Sequence, residues 1–399
     1  MKLDASQLSA VAAAAETNIS IITGGAGTGK TTIIKAIATT LEARGEKVSL
    51  CAFAGKAAAR IREACDHPAS TIHSLLGYNG KQFLSGDLIN DSIIIDEASM
   101  VDSMLLAEIT RRKPKRLILV GDPAQLPPVG RGQPFHDLIT LRPDIVSSLT
   151  TCYRATEAVF QAASTIREGG RPKPRAKSDQ EKWTMRNTGS PAQTQAVILD
   201  WISKGLIDFE QDIILCARNG KDDQDPCTIR GLNKAIVDLI SPRSENTKFV
   251  VGDRVINGKN LPALDVWNGM TGTIHAIDED GGIWVNTDVP VVNHSAVGAS
   301  ASNESYTSHV LFTKGIKRHL SLAYALTVHK SQGSQYRNVL ITCFCRDGWG
   351  LLDRSLLYTA VTRTKSACCV IGELVAVWGA IDKQNHKNTV IQECEVREG

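Results

Sequence analysis

The 399-residue sequence has no apolar run of about 18 residues, the length that a membrane-spanning helix needs. It also has no strong excess of one charge, because 45 Lys and Arg residues stand against 42 Asp and Glu residues. A chain with a net charge of only +3 is not attracted to nucleic acid as a whole. Any nucleic-acid site is therefore expected to be a local groove.

The ten cysteines lack the spacing of a metal site, since no pair of Cys-x-x-Cys motifs occurs. Near the first residue, Asp4 and Ser6 interrupt the apolar stretch that a signal peptide would need. The sequence therefore predicts reduced thiols and a cytoplasmic location, in a bacterium or a phage-infected cell, without a membrane partner.

The composition is that of a globular protein with more than one core, with 42% hydrophobic and 22% charged residues. Short apolar runs alternate with helical patterns at 31–44 and 56–65. This alternation predicts parallel α/β units. The predicted strands are 19–23, 48–53, 93–95, 117–120, 213–216, 339–343 and 368–371.

These runs form two groups, 19–149 and about 183–372, and so predict two α/β domains. Residues 249–288 have a different pattern, with three short strand-like segments and a hairpin turn at Asp280-Gly281-Gly282. We interpret this segment as a small β-module inserted into the second domain.

Residues 24–31 read Gly-Gly-Ala-Gly-Thr-Gly-Lys-Thr, after a predicted strand and at the start of a predicted helix, which is the context of a phosphate-binding loop. Its glycines let backbone N–H groups surround phosphate oxygens. We predict that Lys30 reaches the β- and γ-phosphates of a nucleotide and that Thr31 ligates Mg²⁺. A glycine turn without a ligand is the alternative. The other predicted nucleotide contacts in the motif are Gly25, Gly27, Thr28, Gly29 and Thr32.

Polar residues end two further apolar runs. Asp96 and Glu97 follow residues 93–95, and we predict that Asp96 holds Mg²⁺ while Glu97 polarises the attacking water. Gln125 follows the strand at 116–120 in a Pro/Gly loop, where its amide would sense the γ-phosphate. A solvated strand end and an ordinary turn are the respective alternatives.

The order of these motifs resembles that of superfamily 1 DNA helicases, in the RecD/Dda-like group that moves 5′→3′. The similarity extends from Gln7 to Lys365, and the motif order makes it specific. Besides the phosphate-binding loop, IDEASM and GDPAQLPPVGRG, the matching segments are AFAGKAA at 52–58, TIHSLL at 71–76, Tyr153-Arg154, LTVHKSQG at 326–333 and YTAVTRTK at 358–365.

The resemblance implies two RecA-like P-loop domains with ATP bound between them, and an inserted SH3-like β-module. The first domain would comprise residues 1–150, the second 151–247 with 313–399, and the module 248–312. Trp267 and Trp284 are expected in the core of the module, with stacking on DNA as the alternative. A β-hairpin pin that splits the duplex is expected within 77–91, where Asn79-Gly80 offers a turn, although a plain connecting loop is an equal alternative.

The resemblance also assigns residues to the nucleotide. Gln7 would read the adenine edge with its amide. Tyr153 would stack on adenine, or pack in the core instead. Arg154 and Arg363 would neutralise charge at the γ-phosphate, and Gly333 would lie at the nucleotide cleft. Gln335 stands where relatives often have an acid that meets the ribose, which leaves the sugar selectivity open.

For DNA, the matching motifs imply contacts from a set of mainly polar residues. His73 and His329 could instead be core histidines that bond to the backbone. Phe53 departs from the usual family motif, and it either stacks on a base or packs in the core. The predicted DNA-binding residues are Phe53, Lys56, Thr71, His73, Thr327 and His329.

The sequence thus predicts an ATP- and Mg²⁺-dependent, monomeric DNA helicase that moves 5′→3′ on single strands and unwinds forked duplex, in replication, recombination or repair. Two alternatives remain. One is an RNA helicase of the same superfamily, and the other is an ATP-gated nucleic-acid clamp that does not unwind.

Overall fold

The computed structural model describes residues 3–78, 82–84, 92–153, 156–176, 182–244, 246–292, 306–347 and 351–384. The chain divides into two units, with the boundary between residues 155 and 156. No helix in these described ranges is long and apolar enough to cross a membrane.

The first unit contains a six-stranded sheet in which every described strand pair is parallel. Its strand order is β3-β2-β4-β5-β1-β6. The helices are α1 (Ala5–Glu16), α2 (Lys30–Ala43), α3 (Gly55–Cys65), α4 (Ile72–Leu75), α5 (Ser103–Arg111) and α6 (Pro134–Leu141), and the strands are β1 (Ile19–Gly24), β2 (Val48–Ala52), β3 (Ala69–Thr71), β4 (Ser92–Asp96), β5 (Arg116–Gly121) and β6 (Val146–Leu149).

Helices cover both faces of this sheet, which explains why its central strands are continuous apolar runs. One hydrophobic cluster joins strand residues such as Ile94 to α1, α2 and α3. A second cluster, on the residues that alternate with these along the strands, includes Ile93 and joins the sheet to α5 and α6. Apolar residues recur every second position along the strands and about every 3.6 positions along the helices, and both sets pack together in these two clusters.

The sheet brings three chain segments to one edge. The neighbouring strands β4, β5 and β1 end at Asp96, Gly121 and Gly24, and the register pairs Thr23 with Gly121. Because the carboxyl ends of parallel strands lie on the same side, the loops that follow them meet there.

The second unit has its own six-stranded sheet, in the order β15-β9-β16-β17-β8-β7 and parallel except for the pair β7 and β8. Its helices are α7 (Glu157–Arg167), α8 (Pro191–Ser203), α9 (Ile229–Ile240), α10 (Arg354–Val361) and α11 (Leu374–Asp382), and its strands, with those of the inserted sheet, are β7 (Arg175–Ala176), β8 (Lys182–Asn187), β9 (Ile213–Cys216), β10 (Arg254–Asn257), β11 (Thr271–Ile277), β12 (Ile283–Val292), β13 (Tyr306–Phe312), β14 (Leu320–Leu322), β15 (Ala325–Thr327), β16 (Tyr336–Cys343) and β17 (Thr364–Gly372).

The inserted segment forms a separate five-stranded antiparallel sheet in the order β13-β12-β11-β10-β14. Strand β14 lies after the predicted end of the module at 312, so the sheet takes in more of the chain than the sequence pattern indicated. Along β12, buried and exposed residues alternate. Trp284 is on the exposed face, with 37% of its surface accessible, so the expectation that it lies in the module core is wrong.

Candidate nucleotide and nucleic-acid site

The phosphate-binding loop lies between β1 and α2, with Lys30 as the first residue of the helix. Gly27 and Gly29 have φ angles of 82° and 84°, which residues with a Cβ rarely adopt. The Lys30 Nζ atom donates to the carbonyl oxygens of Gly24 at 2.8 Å and Gly25 at 3.0 Å. The ammonium group therefore lies over the loop, at the N-terminus of a helix, where anions are favoured.

Gln7 and Tyr153 both contact this loop through hydrogen bonds. The Gln7 side chain is buried, and its Nε2 atom donates to the Thr28 carbonyl oxygen at 3.3 Å. The Tyr153 backbone N–H donates to the Gly27 carbonyl oxygen at 2.8 Å. Its hydroxyl donates to Asp4 Oδ2 at 2.5 Å, which is the main cause that lowers the pKa of Asp4 to about 2.

The sequence reasoning did not identify Asp4 as part of this site. Asp4 is the N-cap of α1, and it forms a capping box with Gln7. The signal was present, because an acidic residue stands three positions before a glutamine at the start of a helical pattern. What the sequence could not reveal is that Tyr153, far along the chain, bonds to the same carboxylate.

Asp96 and Glu97 occupy the end of β4, as their sequence context indicated. Burial, and then the negative charge of Glu97, raise the pKa of Asp96 to about 6, although Lys30 has an opposing effect. Asp96 Oδ1 accepts a hydrogen bond from the Glu97 backbone N–H at 2.9 Å. Glu97 itself has a left-handed backbone with φ 53°, which is uncommon for a residue other than glycine and is typical of functional sites.

Gln125 is buried after the end of β5, in a turn built around Asp122. The Gln125 backbone N–H donates to the Asp122 carbonyl oxygen at 3.1 Å, and its Nε2 atom lies 3.4 Å from Asp122 Oδ2. Asp122 Oδ1 also accepts from the Ala124 N–H at 3.1 Å. This turn fixes the backbone of Gln125 at the sheet edge that also carries Asp96 and the phosphate-binding loop.

The residues at this edge fit a magnesium nucleotide. The loop leaves no room for a side chain at Gly24, because a Cβ there would meet Thr28 Oγ1 at 2.4 Å. Such close backbone packing is what a phosphate cradle requires. The hydroxyl of Thr31 and the carboxylate of Asp96 are hard oxygen ligands of the kind that Mg²⁺ prefers. In the described part of the chain, no group of three or more His, Cys, Asp or Glu side chains could hold a metal ion.

The predicted DNA residues of the first unit lie next to one another in the chain segments that follow β2 and β3. Strand β2 ends at Ala52, one residue earlier than predicted, and Phe53 packs partly against the hydrophobic cluster that contains Ile93. Lys56 is buried in the first turn of α3. Thr71 is the N-cap of α4, where its Oγ1 atom accepts from the Ser74 N–H at 3.1 Å.

His73 lies at the centre of an aromatic cluster that also contains Phe53, Tyr78 and Phe83. Its ring stacks on that of Phe83 with centroids 5.9 Å apart, and it makes edge contacts with Phe53 at 6.1 Å and Tyr78 at 5.5 Å. Burial lowers the pKa of His73 below its usual range, so the ring is neutral at pH 7. A neutral imidazole favours stacking over an ion pair with a phosphate.

Tyr78 and Phe83 form an isolated antiparallel bridge, in the segment where the sequence offered either a hairpin pin or a connecting loop. Residues 79–81 and 85–91 lie outside the described ranges. The bridge and the ring contacts with His73 anchor Tyr78 and Phe83 to the first unit. Sequence reasoning did not assign Tyr78 or Phe83 to the site, and the only signal was the density of aromatic residues in a chain with few of them.

In the second unit, Thr327 ends β15, and its Oγ1 atom accepts from the Lys330 N–H at 3.3 Å. His329 is exposed in the turn that follows, and Gly333 has a left-handed backbone with φ 74°. Arg363 is buried, with its Nε donating to the Thr359 carbonyl oxygen at 3.1 Å and its guanidinium 3.5 Å from the Ser334 carbonyl oxygen. Arg363 thus connects the segments of the last two predicted motifs. Arg154 lies outside the described residues.

The geometry of the first unit defines a P-loop nucleoside-triphosphatase domain. Two family models match the chain: the AAA domain over residues 2–187, and the UvrD-like helicase C-terminal domain over residues 322–371.

Two curated relatives are similar to the chain in sequence over most of its length. The chain is 31% identical over 398 residues to the ATP-dependent RecD2 DNA helicase of Deinococcus radiodurans, covering 94% of this chain and 50% of that protein. It is 28% identical over 427 residues to the RecBCD enzyme subunit RecD of Mycolicibacterium smegmatis, covering 95% of this chain and 72% of that subunit. The chain thus spans about half the length of the first relative.

Solved structures show the same fold. A Bacteroides Pif1 structure bound to single-stranded DNA superposes with a TM-score of 0.53 at 19% identity, covering 100% of this chain and 97% of that chain. A structure of Pif1 helicases at forked double-stranded DNA superposes with a TM-score of 0.55 at 20% identity, with the same coverage. Both units are accordingly RecA-like. In sequence and in fold, the chain is similar to superfamily 1 helicases of the RecD/Pif1-like group.

Proposed function

We propose that this chain is an ATP-dependent DNA helicase that translocates 5′→3′ on single-stranded DNA and unwinds forked duplex. The observation that carries the proposal is the convergence, at one edge of the first sheet, of the phosphate-binding loop, the acidic pair Asp96-Glu97 and Gln125. A site of this composition binds a nucleoside triphosphate and activates water against its γ-phosphate.

In this proposal each polar group of the first unit has a separate role. The loop and Lys30 hold the phosphates, and Thr31 with Asp96 holds Mg²⁺, which would neutralise charge on the phosphate oxygens. Glu97 accepts a proton from the attacking water, and the Gln125 amide hydrogen-bonds to the γ-phosphate. The roles of Arg154 and Arg363 at the γ-phosphate, and of Gly333 at the cleft, remain predictions from the family resemblance.

We propose that single-stranded DNA contacts the aromatic cluster of the first unit and the predicted polar residues of both units. Phe53 offers a ring for a base, while Lys56, Thr71, Thr327 and His329 are candidates for the sugar-phosphate backbone. His73 is neutral and packed among aromatic rings, so we assign it to stacking or support of the cluster rather than to charge. The segment around the bridge of Tyr78 and Phe83 is proposed as the strand-separating pin.

Each of the two alternative functions predicted from the sequence can be tested separately. An RNA helicase of the same superfamily would unwind matched RNA duplex better than DNA duplex. A clamp that does not turn over would bind ATP without hydrolysing it, which the presence of Glu97 beside Asp96 argues against. The monomeric state, the cytoplasmic location and a role in replication, recombination or repair also stay predictions.

The experiment is a steady-state ATPase assay of the whole chain with and without single-stranded DNA, and with single-stranded RNA as the comparison. We expect a low rate alone and a large increase with DNA, because residues 327–333 contain two predicted DNA contacts, Thr327 and His329, and one predicted nucleotide contact, Gly333. Lys30→Ala, which removes the charge from the phosphate site, is the negative control and should show no stimulation. Equal rates with and without DNA would contradict the proposal.

A further inference from the structure

The inserted sheet is joined to the main sheet of the second unit by a very short connection. Strand β14 ends at Leu322 and β15 begins at Ala325, so only Ala323 and Tyr324 lie between them. Strand β15 is three residues long, is the edge strand of its sheet, and ends at the predicted DNA contact Thr327. The bonds that hold this connection therefore determine where Thr327 lies relative to the inserted sheet.

Tyr324 bonds the connection to the start of β10 in the inserted sheet. Its hydroxyl donates to Asp253 Oδ1 at 3.0 Å, and its buried ring makes an edge contact with Phe209, with centroids 4.9 Å apart. Burial and the charge of Asp253 raise the pKa of Tyr324, so the hydroxyl keeps its proton and can donate it. The neighbouring Ala323 N–H also donates to the Arg254 carbonyl oxygen at 2.8 Å.

The carboxylate that receives the Tyr324 hydroxyl is itself firmly held. Asp253 is only 1% exposed, and it accepts from the Arg243 guanidinium, with Nη2 2.7 Å from Oδ1, and from the Val250 N–H at 2.9 Å. Its own carbonyl oxygen accepts from the Ile274 N–H of β11 at 2.9 Å. Charge-assisted bonds of this kind fix both partners, so Tyr324 is bonded to a group that follows the inserted sheet.

Asn233 in α9 holds the other side of the same connection. Its Oδ1 atom accepts from the N–H groups of Tyr324 at 2.9 Å and Ala325 at 3.0 Å. Its Nδ2 atom donates to the carbonyl oxygens of Ala325 at 3.0 Å and Ile229 at 2.8 Å. Both donors and both acceptor positions of the amide are used, so the first residue of β15 is fixed between β9 and α9.

We propose that Tyr324 is a positioning residue that couples the inserted sheet to the DNA contact at Thr327. Its bond to Asp253 and the bonds of Asn233 lock the connection between β14 and β15, so the inserted sheet and β15 move together. Thr327 is then presented to the strand in one fixed position, which lowers the cost of binding. The inference rests on the proposed binding of DNA, but it does not depend on unwinding or on its direction.

The first test measures the connection directly, by amide hydrogen exchange of the whole chain without ligand. Tyr324→Phe keeps the ring and removes only the hydroxyl, so exchange in residues 323–327 should become about 2- to 10-fold faster. Thr287→Val is the matched control, because its buried hydroxyl lies 2.9 Å from the Val289 carbonyl oxygen and 3.1 Å from that of Ser308, at the opposite end of the inserted sheet from β14.

Exchange in residues 323–327 should be the same in Thr287→Val as in the unmodified chain. Unchanged exchange in Tyr324→Phe would overturn the proposal. Equal acceleration in both variants would overturn it as well, because any loosening of the inserted sheet would then have the same effect.

The second test asks whether Tyr324 acts through Thr327. Dissociation constants for fluorescent oligothymidine are measured by anisotropy on the unmodified chain, Tyr324→Phe, Thr327→Ala and the double variant. Tyr324→Phe should weaken binding by about 2- to 10-fold in the unmodified chain, and it should cause no further loss when Thr327 is already alanine. A loss of the same size in both backgrounds would overturn the proposal.

The same measurements separate this inference from the proposed function. If the unmodified chain does not bind oligothymidine, the proposed function itself fails. If it binds, and Tyr324→Phe binds equally well, only the coupling fails. Melting temperatures of Tyr324→Phe and Thr287→Val should be similar, since each loses one buried hydroxyl, yet only Tyr324→Phe should lose DNA affinity. An equal loss of affinity in Thr287→Val would contradict the coupling.

Discussion

Glu97 combines an uncommon backbone conformation with a position beside the half-buried carboxyl group of Asp96. Its left-handed conformation, with φ 53°, costs about 1–2 kcal/mol relative to the right-handed one, and it directs the chain out of β4 into a short helical turn. A residue that keeps such a conformation at the edge of a nucleotide site is best explained by the placement of its side chain.

We predict that Glu97→Gln retains nucleotide binding but lowers the ATP hydrolysis rate by roughly 10²–10⁴-fold, because an amide cannot accept the proton of the attacking water. The amide has nearly the size of the carboxylate, so the strained backbone should persist. Binding is measured by titration and hydrolysis by phosphate release. Normal turnover in this variant would mean that another residue activates the water.

The raised pKa of Asp96 predicts that both ATP hydrolysis and stability depend on pH. Its pKa of about 6 lies above the ordinary value of 3.8, chiefly because the group is buried and next to Glu97. Ionised Asp96 is needed to bind Mg²⁺, so hydrolysis should decline as the pH falls through about 6. A pH profile of the ATPase rate at saturating nucleotide tests this, and a flat profile between pH 5 and 7 would exclude the assignment.

The raised pKa of Asp96 also determines how the stability of the fold changes with pH. Because the folded-state pKa is raised, the carboxyl stabilises the fold most in its protonated form, below pH 4, and this stability is lost as the pH rises through about 6. Asp96→Asn, which is always neutral, should therefore melt at a higher temperature than the unmodified chain at pH 8. The difference should shrink between pH 6 and pH 4. An unchanged difference over that interval would show that the effect is not one of ionisation.

At the scale of elements, the strands were the most predictable part of the chain. Each predicted strand occurs, with ends that shift by up to four residues, because buried parallel strands are short apolar runs that local sequence reveals. The order of the strands in the sheets was not predictable, since it depends on contacts between distant segments. For the same reason the sequence did not place β14 in the inserted sheet or Trp284 on that sheet's exposed face.

The candidate site, like the fold, was predictable from the sequence only in part. The phosphate-binding loop and the acidic pair were found from the sequence because each is a continuous motif that follows a strand. The hydrogen bond between Asp4 and Tyr153 was not predicted, because the two residues are separated by 149 positions in the sequence. The cluster around His73 also depends on folding, since Phe53 and Phe83 meet it from different elements.

Phe53 lies where β2 passes into α3, and its ring touches both the hydrophobic core and the ring of His73. If the exposed part of the ring stacks on a base, Phe53→Ala should weaken single-stranded DNA binding by about 5- to 150-fold, without preference for base sequence. Core packing predicts instead a loss of about 3–5 kcal/mol in the free energy of unfolding.

DNA affinity and the melting temperature are therefore measured on the same Phe53→Ala protein. Reduced stability with unchanged DNA affinity would eliminate the stacking role. Because the ring is only partly buried, we expect a smaller loss of stability than full burial would give, together with a clear loss of affinity.

For the whole molecule, the two RecA-like units and the inserted antiparallel sheet account for nearly all the described residues. The nucleotide edge belongs to the first unit, while Thr327, His329 and Arg363 belong to the second, so both units are required for the proposed activity. A helicase of this group is defined by coupling nucleotide turnover to movement in one direction along a strand. Its directionality is therefore the property that most directly distinguishes it from a nucleotide-dependent clamp.

The central claim is tested by unwinding of DNA duplexes that carry a single-stranded tail at either the 5′ or the 3′ end, with ATP and Mg²⁺ and with Glu97→Gln as the inactive control. We predict that the duplex with a 5′ tail is unwound and that the duplex with only a 3′ tail is not. Preferential unwinding from the 3′ tail would contradict the proposed 5′→3′ polarity, and no unwinding of either duplex despite ATP hydrolysis would contradict the helicase itself.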